Sequence, residues 1–497
     1  MRGSTLIRWI WNVIILFHDV RWIGTAGLFE CPSRFGYFAD RAECTKYYIC
    51  NFGFGVQQEC PNGLQFSTRL RNCDWIRNIN CTQYPGFAYR QGEDSLPLPA
   101  SVETTTADTD IYMLPLKNSR FPPIFAQAPQ RTTTGRPELQ VCPARPCNSS
   151  TCTAPRCRCG SSDIPNGMDP EDVPQMIIIT FENAINEWTY SVYQSILRED
   201  RKNPNGCPIK ATFFVSHEWT DYSSVQNLYS SGHEMAVLGV SLLYEGNRSE
   251  HSWEEEVAGQ RKILSLFGNV SKADVHGMRA PYLTIGGDEQ FSMLYRNDFT
   301  FDSSMPVFEN EPPFFPFTLD CLINNYCMID PCPKNSYPGI WELPVVMWSD
   351  LSGSRCNTVD GCTDSISAPE VFELLMSNFE RHYSTNRAPF NMFMSPAWFA
   401  KEMNTKAFKK FVETMLSKKD VFFVTIDQVI QWMKNPTPLS QIKDFKPWQC
   451  HAAPPTPPCL NPNICTPWFE KAKEIRPLKT CMPCPKKYPW LGNEEGL

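Results

Sequence analysis

The sequence predicts an α/β protein with a parallel sheet, joined to a small disulfide-rich domain. Residues 176–181 read Met-Ile-Ile-Ile-Thr-Phe, an unbroken apolar run rich in β-branched side chains, which is typical of a strand buried on both faces. Apolar strands and amphipathic helices alternate after it, which indicates parallel strands joined by crossover helices. Upstream, six cysteines lie between positions 31 and 81, a segment too short to bury a stable core without crosslinks.

The alternating units are numerous enough for a barrel. We expect strands at 176–181, 211–216, 233–238, 275–279, 299–302, 344–348, 390–394 and 421–424. We expect helices near 188–198, 223–231, 252–267, 369–383, 405–417 and 426–433. Glu182 and Asn183 follow the first strand at its carboxyl end, where α/β barrels and open α/β sheets usually place their chemistry.

Composition excludes several classes of function. A length of 497 residues indicates two to four domains, and a net charge of -7 with 20% charged residues gives no basic field for nucleic acid or anionic lipid. The 22 cysteines are clustered and even in number, which points to a disulfide-forming compartment. Zinc sites are the rival explanation, but the short, fixed Cys/His spacings that they need are absent.

The N-terminus is typical of a secretory signal peptide covering residues 1–27. Arg2 and Arg8 precede the apolar run 9–17, and small residues follow at 24–27, although Asn12 interrupts the apolar run. No later segment offers the roughly 18 apolar residues that a membrane anchor needs. Four candidate glycosylation sites fit a secreted protein: Asn80, Asn148, Asn247 and Asn269.

Residues 28–84 form the predicted small domain. Its cysteines are Cys31, Cys44, Cys50, Cys60, Cys73 and Cys81. Aromatic residues lie between them: Tyr47, Tyr48, Phe52, Phe54, Phe66 and Trp75. These rings have two interpretations: they fill a minimal core, or some stand exposed and stack on the apolar faces of sugar rings.

Three motifs in this domain carry a resemblance. They are Gly-Tyr-Phe-Ala-Asp at 36–40, Cys-Thr-Lys-Tyr-Tyr-Ile-Cys at 44–50 and Cys-Pro-Asn-Gly-Leu-Gln-Phe at 60–66. Together with the cysteine spacing, they closely resemble the type-2 (peritrophin-A) chitin-binding domain. Spacing alone cannot choose among the possible disulfide pairings. The resemblance implies that Cys31 pairs with Cys50, Cys44 with Cys81 and Cys60 with Cys73.

Two further regions have little regular periodicity. Residues 85–141 are rich in proline and threonine, which indicates an extended linker that tethers the small domain without fixing its orientation. Residues 435–497 are rich in cysteine and proline, and we expect disulfides to hold this tail against the outside of the barrel. The large domain then spans residues 142–434.

The large domain carries a second resemblance. Its motifs include Thr-Phe-Glu-Asn-Ala at 180–184, Lys-Ala-Thr-Phe-Phe-Val-Ser-His at 210–217, Gly-His-Glu-Met-Ala-Val at 232–237 and Arg-Ala-Pro-Tyr-Leu at 279–283. These resemble an arthropod-type chitin deacetylase, of the polysaccharide deacetylases in carbohydrate esterase family 4. The resemblance implies a distorted (β/α) barrel. Both domains therefore point to chitin.

The implied reaction makes strict demands on the site. Active members hydrolyse the N-acetyl group with a metal-bound water, and the metal needs an acidic ligand and two imidazoles with an open position. A second carboxylate accepts the proton of the water, and a histidine protonates the leaving amine.

This sequence departs from that pattern at five positions. Where the family has two aspartates, the base and a metal ligand, it has Glu182 and Asn183. Leu238 and Leu242 occupy the places of the metal-binding histidines, and Ser395 that of the general-acid histidine. Losing the general acid alone costs on the order of 10²-fold to 10⁴-fold in rate. We therefore expect no metal site and no intact catalytic group.

Other motif positions match the family. The resemblance implies that Arg279 orients the catalytic base, that the backbone of Tyr282 helps to form the oxyanion site, and that Asp302 and Trp398 lie near the cleft. We expect Arg279 and Asp302 to form a buried ion pair, with Glu182 as a further partner. Five histidines could in principle rescue a metal site, but we expect each to be structural or exposed: His217, His233, His251, His276 and His382.

Three hypotheses follow. The first is a secreted, non-catalytic chitin-binding protein of an extracellular chitin matrix, with chitin or chito-oligosaccharides as ligands and no cofactor, nucleic acid or membrane. The second is an active chitin deacetylase, which would require zinc. The third is a pseudoenzyme that binds a protein partner, such as another matrix protein, in its emptied cleft. Two interpretations are open for four apolar residues, which either line such a cleft or form well-packed core: Leu238, Leu242, Met394 and Trp398. We favour the first hypothesis.

Overall fold

A computed structural model describes the chain in two separate units, which divide between Phe125 and Ala126. In the first unit it describes residue 29 and residues 36–40, 42–51, 54–60, 64–67 and 72–75. In the second it describes residues 142–242, 248–323, 327–362, 365–450 and 454–497. No helix among these residues is both long and apolar enough to cross a membrane.

The small unit consists of short antiparallel strands. Its strands are β1 Gly36–Ala39, β2 Lys46–Asn51, β3 Phe54–Glu59, β4 Leu64–Ser67 and β5 Asn72–Trp75. The first three form one sheet and the last two a hairpin. Asp40 fixes the turn between β1 and β2, since its carboxylate accepts hydrogen bonds from the backbone N–H groups of Ala42 and Glu43. Phe66 is buried and stacks on Tyr47, with ring centroids 4.7 Å apart.

The large unit alternates strands and helices. Its strands are β6 Gln175–Asn183, β7 Thr212–Ser216, β8 Glu234–Gly239, β9 Gly277–Met278, β10 Phe301–Asp302, β11 Pro306–Val307, β12 Phe317–Thr318, β13 Trp341–Glu342, β14 Val345–Val346, β15 Trp348–Ser349, β16 Arg355–Cys356, β17 Phe390–Met394, β18 Val421–Phe423, β19 Asn463–Cys465, β20 Trp468–Phe469, β21 Glu474–Ile475 and β22 Leu478–Thr480. Its helices are α1 Glu187–Ile196, α2 Tyr222–Ser230, α3 Glu250–Trp253, α4 Gly259–Phe267, α5 Gly287–Arg296, α6 Ala368–Tyr383, α7 Glu402–Leu416 and α8 Ile426–Lys434.

Within the described residues, nine strands form the central sheet in the order β12-β13-β10-β9-β8-β7-β6-β17, with β18 also paired to β6. All of these pairs are parallel except β12 with β13. The sheet curls, and the two ends meet where the indole N–H of Trp348 in β15 donates to the Asn391 carbonyl oxygen of β17. Val345 and Phe393 pack together at the same closure. The result is the distorted (β/α) barrel that the sequence predicts.

The central strand β6 follows the alternation expected of a strand buried on both faces. Residues 177, 179 and 181 pack with the surrounding helices, whereas residues 176 and 178 belong to the interior cluster. By the same alternation, Thr180 and Glu182 point to the interior of the barrel. The tip of β6 therefore presents Glu182 at the carboxyl end of the sheet.

Helix α5 was not among the predicted helices. Its first turn begins at Gly287 and lacks a side-chain cap, so the usual start signal is missing. The expected helix at 252–267 is present but interrupted, because residues 254–258 form a π-helical segment between α3 and α4. The strand expected at 344–348 is split into β14 and β15, and the sheet strand in that region is β13.

The C-terminal tail lies against the barrel, as predicted. The disulfide Cys207–Cys450 joins the start of the tail to the segment before β7. Two further disulfides, Cys459–Cys481 and Cys465–Cys484, crosslink the tail to itself. The Thr480 hydroxyl donates to the Phe267 carbonyl oxygen at the end of α4, so β22 is fixed on the helical layer.

Candidate functional site

The candidate site begins at the tip of β6. Glu182 is half-buried, and desolvation raises the pKa of its carboxyl group to about 7, while Arg279 lowers it and Asp360 raises it further. No side-chain hydrogen bond of Glu182 is found within the described part of the chain. The next residue, Asn183, has a left-handed backbone with φ 87°. The strand therefore ends in a carboxyl group that is partly protonated at neutral pH and makes no side-chain hydrogen bond to the described residues.

Arg279 lies close enough to Glu182 to lower the pKa of that carboxyl group, and the Arg279 side chain is fully buried. Its guanidinium donates to the carbonyl oxygen and the hydroxyl of Ser303, at 2.8 and 3.0 Å, and to the Thr180 hydroxyl at 3.1 Å. The rings of Phe214 and Phe393 lie 4.1 and 4.2 Å from its carbon centre. Desolvation lowers the pKa of Arg279 to about 10, so the group stays charged at neutral pH.

The expected ion pair of Arg279 with Asp302 or Glu182 is wrong. All three residues are described, and no nitrogen of Arg279 comes within 4.0 Å of either carboxylate. Thr180 and Ser303 are closer in the folded sheet and take up the guanidinium N–H groups. The carboxylates act on Arg279 only through charge, together with Glu342.

Asp302 is instead paired with Glu342, a residue that the sequence analysis did not single out. The two occupy adjacent positions on the parallel strands β10 and β13. Desolvation raises the pKa of Asp302 to about 6, and desolvation together with the Asp302 charge raises that of Glu342 well above its usual value. Asp302 also accepts from Gln290 at 2.9 Å and from the Ser304 hydroxyl at 2.8 Å. The pair therefore shares a proton beneath the site.

The two leucines at the family's histidine positions have different environments. Leu238, at the end of β8, is 2% exposed and packs in the interior cluster with Phe214 and Trp341. Leu242 is half-buried against the same cluster and has a left-handed backbone with φ 52°. Its carbonyl oxygen accepts a long hydrogen bond from the Tyr282 hydroxyl at 3.4 Å.

A buried carboxylate holds the loop between these leucines. Glu256 accepts the backbone N–H groups of Val240 and Ser241 at 2.8 and 2.9 Å, and it also accepts the Ser241 hydroxyl. Arg248 lies 3.2 Å from Glu256 and neutralises it. Glu256 comes from the π-helical segment, so this irregularity in the helix serves to fix the strand end.

The side chains at these positions do not fit a divalent metal. Asn183 offers one neutral amide oxygen, while Leu238 and Leu242 offer only carbon, and Leu238 is committed to the interior core. Zinc in a hydrolytic site needs three protein ligands with nitrogen, sulfur or carboxylate donors. Among the described residues, cysteines alone bring three or more His, Cys, Asp or Glu ligand atoms together, and none of these cysteines belongs to the tip of β6.

Ser395 follows β17, which lies next to β6 with Met394 opposite Phe181. Continuing this register places Ser395 beside Glu182. The backbone N–H of Ser395 donates to Asp360 at 2.9 Å, and its hydroxyl donates to the other oxygen of the same carboxylate. Although Asp360 reaches solvent, desolvation of its carboxyl group raises the pKa to about 6, and the bonds from Ser395 oppose this shift.

Sequence reasoning missed Asp360. It lies in a loop closed by the disulfide Cys356–Cys362, which holds the carboxylate over the sheet. The signal in the sequence was an acidic residue between two cysteines six positions apart, but nothing there linked it to β17. The site thus contains two carboxyl groups, Glu182 and Asp360, a serine, an asparagine and a buried guanidinium.

Tyr282 and Trp398, which the resemblance implies near the cleft, are both partly exposed. Tyr282 is half-buried and has a left-handed backbone with φ 60°. Non-glycine residues in this conformation cost of order 1–3 kcal/mol each and cluster at functional sites. Trp398 is half-buried and packs edge-on against Phe399, with ring centroids 5.1 Å apart.

Met394 and Leu238 do not line a cleft. Both are buried, at 0% and 2% exposure, and belong to the core. Of the two alternatives for these side chains, an apolar cleft or a well-packed core, Leu238 and Met394 therefore fit the core.

The histidines have structural roles in the described part of the chain. His217 contacts the Tyr222 hydroxyl and the Pro489 carbonyl oxygen, His233 accepts from the Ala211 N–H, and His382 contacts the Ala388 carbonyl oxygen. Burial lowers the pKa of each of these three to about 3, so they are neutral. His251 and His276 lie 3.8 and 3.6 Å from Glu255 and Asp427.

The small unit gives partial information on the predicted sugar-binding rings. Phe66 is 1% exposed and belongs to the core of the unit. Tyr47 and Tyr48 are half-buried, and Tyr48 stacks on Phe29 with centroids 3.7 Å apart. Phe52 and the side chains of Phe54 and Trp75 lie outside the described residues.

The disulfide pairing of this unit remains a prediction. Cys44 and Cys60 are disulfide-bonded. Cys31 and Cys81, and the side chains of Cys50 and Cys73, lie outside the described residues.

Two of the four glycosylation sites can be located. Asn148 is exposed. Asn269 is half-buried, and its amide nitrogen, to which a glycan would bond, donates to the Thr456 hydroxyl at 2.7 Å. Asn80 and Asn247 lie outside the described residues.

Comparison with known proteins gives matches to both units. Residues 31–81 match the family described as the chitin-binding peritrophin-A domain. Chitin deacetylase 1 of Bombyx mori is 37% identical over 373 residues, which cover 71% of this chain and 69% of that protein. Chitin deacetylase 8 of Bombyx mori is 34% identical over 364 residues, which cover 71% of this chain and 94% of that protein.

Solved structures also align with the chain, at low identity. The Xyl-CE4 domain of a multidomain xylanase from the hindgut metagenome of Trinervitermes trinervoides is 15% identical, with a TM-score of 0.31. The alignment covers 52% of this chain and 90% of that domain.

Proposed function

Because the chain belongs to the chitin deacetylase family and carries a peritrophin-A chitin-binding domain, we propose that it is a secreted chitin-binding protein whose deacetylase-like barrel is not catalytic. The small domain would bind chitin and so hold the protein in an extracellular chitin matrix. Secretion is supported by the disulfide-rich large unit and by the signal-like sequence at residues 1–27.

The observation that carries this proposal is the commitment of Leu238 to the interior core. A metal-dependent deacetylase uses its metal to acidify water and to polarise the amide carbonyl. Asn183, Leu238 and Leu242 supply no imidazole and no carboxylate for that purpose. The Leu238 side chain belongs to the same buried cluster as Phe214 and Trp341, which supports the proposal because a core position cannot serve a metal.

Proton transfer to a leaving amine also lacks its donor. The Ser395 hydroxyl donates to Asp360 and cannot protonate an amine at neutral pH as an imidazolium would. Glu182 and Asp360 have pKa values of about 7 and about 6, so they can exchange protons at neutral pH. The leaving amine is released only after an activated water attacks the amide. Without that attack, neither carboxyl group has an amine to protonate.

Chitin retention is the direct test of the binding role. The full chain and a variant lacking residues 28–84 are incubated with chitin beads, and cellulose beads serve as the matrix control. We expect the full chain to be retained on chitin and the deletion variant to pass through. Equal retention of the two proteins would assign chitin binding to the barrel and overturn the tethering role.

The proposal also allows the barrel to bind sugar without hydrolysing it. The second candidate function is that the cleft binds a protein partner. The half-buried rim residues Leu242 and Trp398 favour a contact surface there. With Leu238 and Met394 in the core, that surface is smaller than the sequence suggested.

A further inference from the structure

Four cysteine sulfurs form a cluster in the large unit, away from β6. The Sγ atoms of Cys147, Cys152, Cys159 and Cys321 all lie within 4.8 Å of one another. Cys147 is bonded to Cys159, and Cys152 to Cys157, whereas Cys321 is a free thiol. A thiol thus lies against both sulfurs of one disulfide and against one sulfur of another.

The segment 142–159 is docked on the barrel without a covalent crosslink to it. Its two disulfides span 12 and 5 positions and are both internal to the segment. Backbone bridges pair Pro143 with Asn335 and Pro146 with Leu322. The Leu322 N–H donates to the Arg145 carbonyl oxygen at 2.8 Å, so the residue next to Cys321 is held against this segment.

Cys321 is held in place for reaction with the segment. The backbone N–H of Asn148 bonds to its thiol. Asn148 follows Cys147 directly in the chain, so this bond fixes the thiol beside the disulfide. Desolvation and the Asp320 charge raise the pKa of Cys321, which makes the thiolate a minority species at neutral pH and the reaction slow.

We propose that Cys321 exchanges with the Cys147–Cys159 disulfide and so forms a covalent strap between the segment 142–159 and the barrel. The Cys321 thiolate attacks one sulfur of that disulfide, a new S–S bond forms to Cys321, and the other cysteine leaves as a thiolate that takes up a proton. One disulfide and one thiol enter and leave the reaction, so no oxidant is needed.

The strap changes how force passes through the molecule. The predicted linker 85–141 enters the large unit at residue 142, and any tension between the small domain and the barrel reaches this segment first. Before exchange, only non-covalent contacts resist its detachment, among them backbone hydrogen bonds and the contact of Arg158 with the Phe315 ring. After exchange, the disulfide to Cys321 transfers the load to the barrel, and it closes a far longer loop than either internal disulfide does.

Peptide mapping tests the exchange. The full chain is incubated at mildly alkaline pH without oxidant, quenched in acid, alkylated and digested without reduction. We expect a crosslinked peptide that joins Cys321 to the segment 142–159, and a matching loss of alkylation at Cys321. Complete alkylation of Cys321 with only internal disulfides in the segment would overturn the proposal.

Two single variants control the measurement. Cys321→Ser should abolish the crosslinked peptide and leave the Cys147–Cys159 disulfide intact. Cys142→Ser removes the other free thiol, which is exposed and outside the cluster, and should leave the crosslink unchanged. Loss of the crosslink in Cys142→Ser, or its persistence in Cys321→Ser, would contradict the assignment.

Chain cleavage gives a second readout that does not depend on peptide recovery. Arg198 is an exposed residue between the segment and Cys207, the first cysteine after it. After cleavage there, we expect the upstream fragment to stay attached on a denaturing gel without reductant and to separate with reductant. Separation without reductant would show that the strap is absent.

Discussion

The carboxyl end of the sheet contains two layers that differ sharply from each other. The lower layer consists of Arg279 and the Asp302–Glu342 pair. In it, Arg279 donates three hydrogen bonds and contacts two aromatic rings. In the upper layer, the positions where the family has metal ligands hold Asn183, Leu238 and Leu242. The sequence motifs predict that the lower layer keeps the family pattern and that the upper layer departs from it.

This difference separates two roles that a catalytic site combines. Arg279 ties β9 to β6 and β10 through Thr180 and Ser303, so its loss would leave buried polar groups without partners. A metal ligand at the end of β8 would not join strands in this way, whereas a leucine at that position adds apolar surface to the core. If the barrel is not catalytic, as we propose, residues that serve both fold and chemistry are kept, and residues that serve the chemistry alone are replaced by apolar side chains.

The lower layer should show the largest effect on stability. Arg279→Met removes a buried cation, leaves the Ser303 carbonyl oxygen without its donor and takes one of two hydrogen-bond partners from the Thr180 hydroxyl. Breaking such a buried network typically costs about 3–5 kcal/mol. We expect a loss of that size in the free energy of unfolding of the large unit, measured by urea denaturation. Arg279→Lys, which keeps the charge, should lose less, and an Arg279→Met protein as stable as the wild type would contradict the scaffold role.

The upper layer should show an intermediate effect that differs between its two leucines. Leu238→Ala opens a cavity in the interior cluster and should cost about 2–5 kcal/mol of unfolding free energy. Leu242→Ala removes a half-buried side chain and should cost less than half as much. The same urea titrations measure both. Equal, small losses would mean that Leu238 has not become part of the core.

The smallest effect is a gain, and it depends on pH. Folding raises the pKa of Glu182 from 4.5 to about 7, so the folded state favours its neutral form. The resulting cost is absent below pH 4.5, grows as pH rises towards 7 and is constant above that. Glu182→Gln should therefore leave stability at pH 4 unchanged and increase it at pH 8 by about 1–3 kcal/mol, with allowance for partial solvent exposure.

An exposed neighbour provides the control for that gain. Glu187→Gln changes a solvated carboxylate in the first turn of α1 and should give no stabilisation at either pH. A Glu182→Gln protein with the same stability as the wild type at pH 8 would show that the Glu182 carboxylate is well solvated.

Much of the fold follows from local patterns in the sequence. Local residues predict the alternation along β6 and the positions of α1 and α8. Composition predicts that the tail contains disulfides, but not which cysteines pair. Helix α5 could not be predicted, since its glycine start carries no cap and tertiary packing stabilises it.

The site was harder to predict, because its contacts join distant strands. Asp360 meets Ser395 only after β17 is placed beside β6, and Glu342 meets Asp302 only through the pairing of β10 with β13. The expected Arg279–Asp302 ion pair failed for the same reason, since Ser303 and Thr180 reach the guanidinium first. The sequence tells which residues are charged, but the residues that they contact depend on how the strands are paired.

The central claim is that the barrel has no catalytic metal, and zinc content tests it most directly. The purified full chain, kept under non-reducing conditions so that its disulfides stay formed, is equilibrated with Zn²⁺, dialysed and analysed for bound zinc, and acetate release from acetylated chito-oligosaccharides is measured on the same sample. A variant carrying Asn183→Asp, Leu238→His, Leu242→His and Ser395→His provides the comparison. We predict substoichiometric zinc and no acetate release for the wild type. One zinc per chain with zinc-dependent acetate release from the wild type would contradict the account.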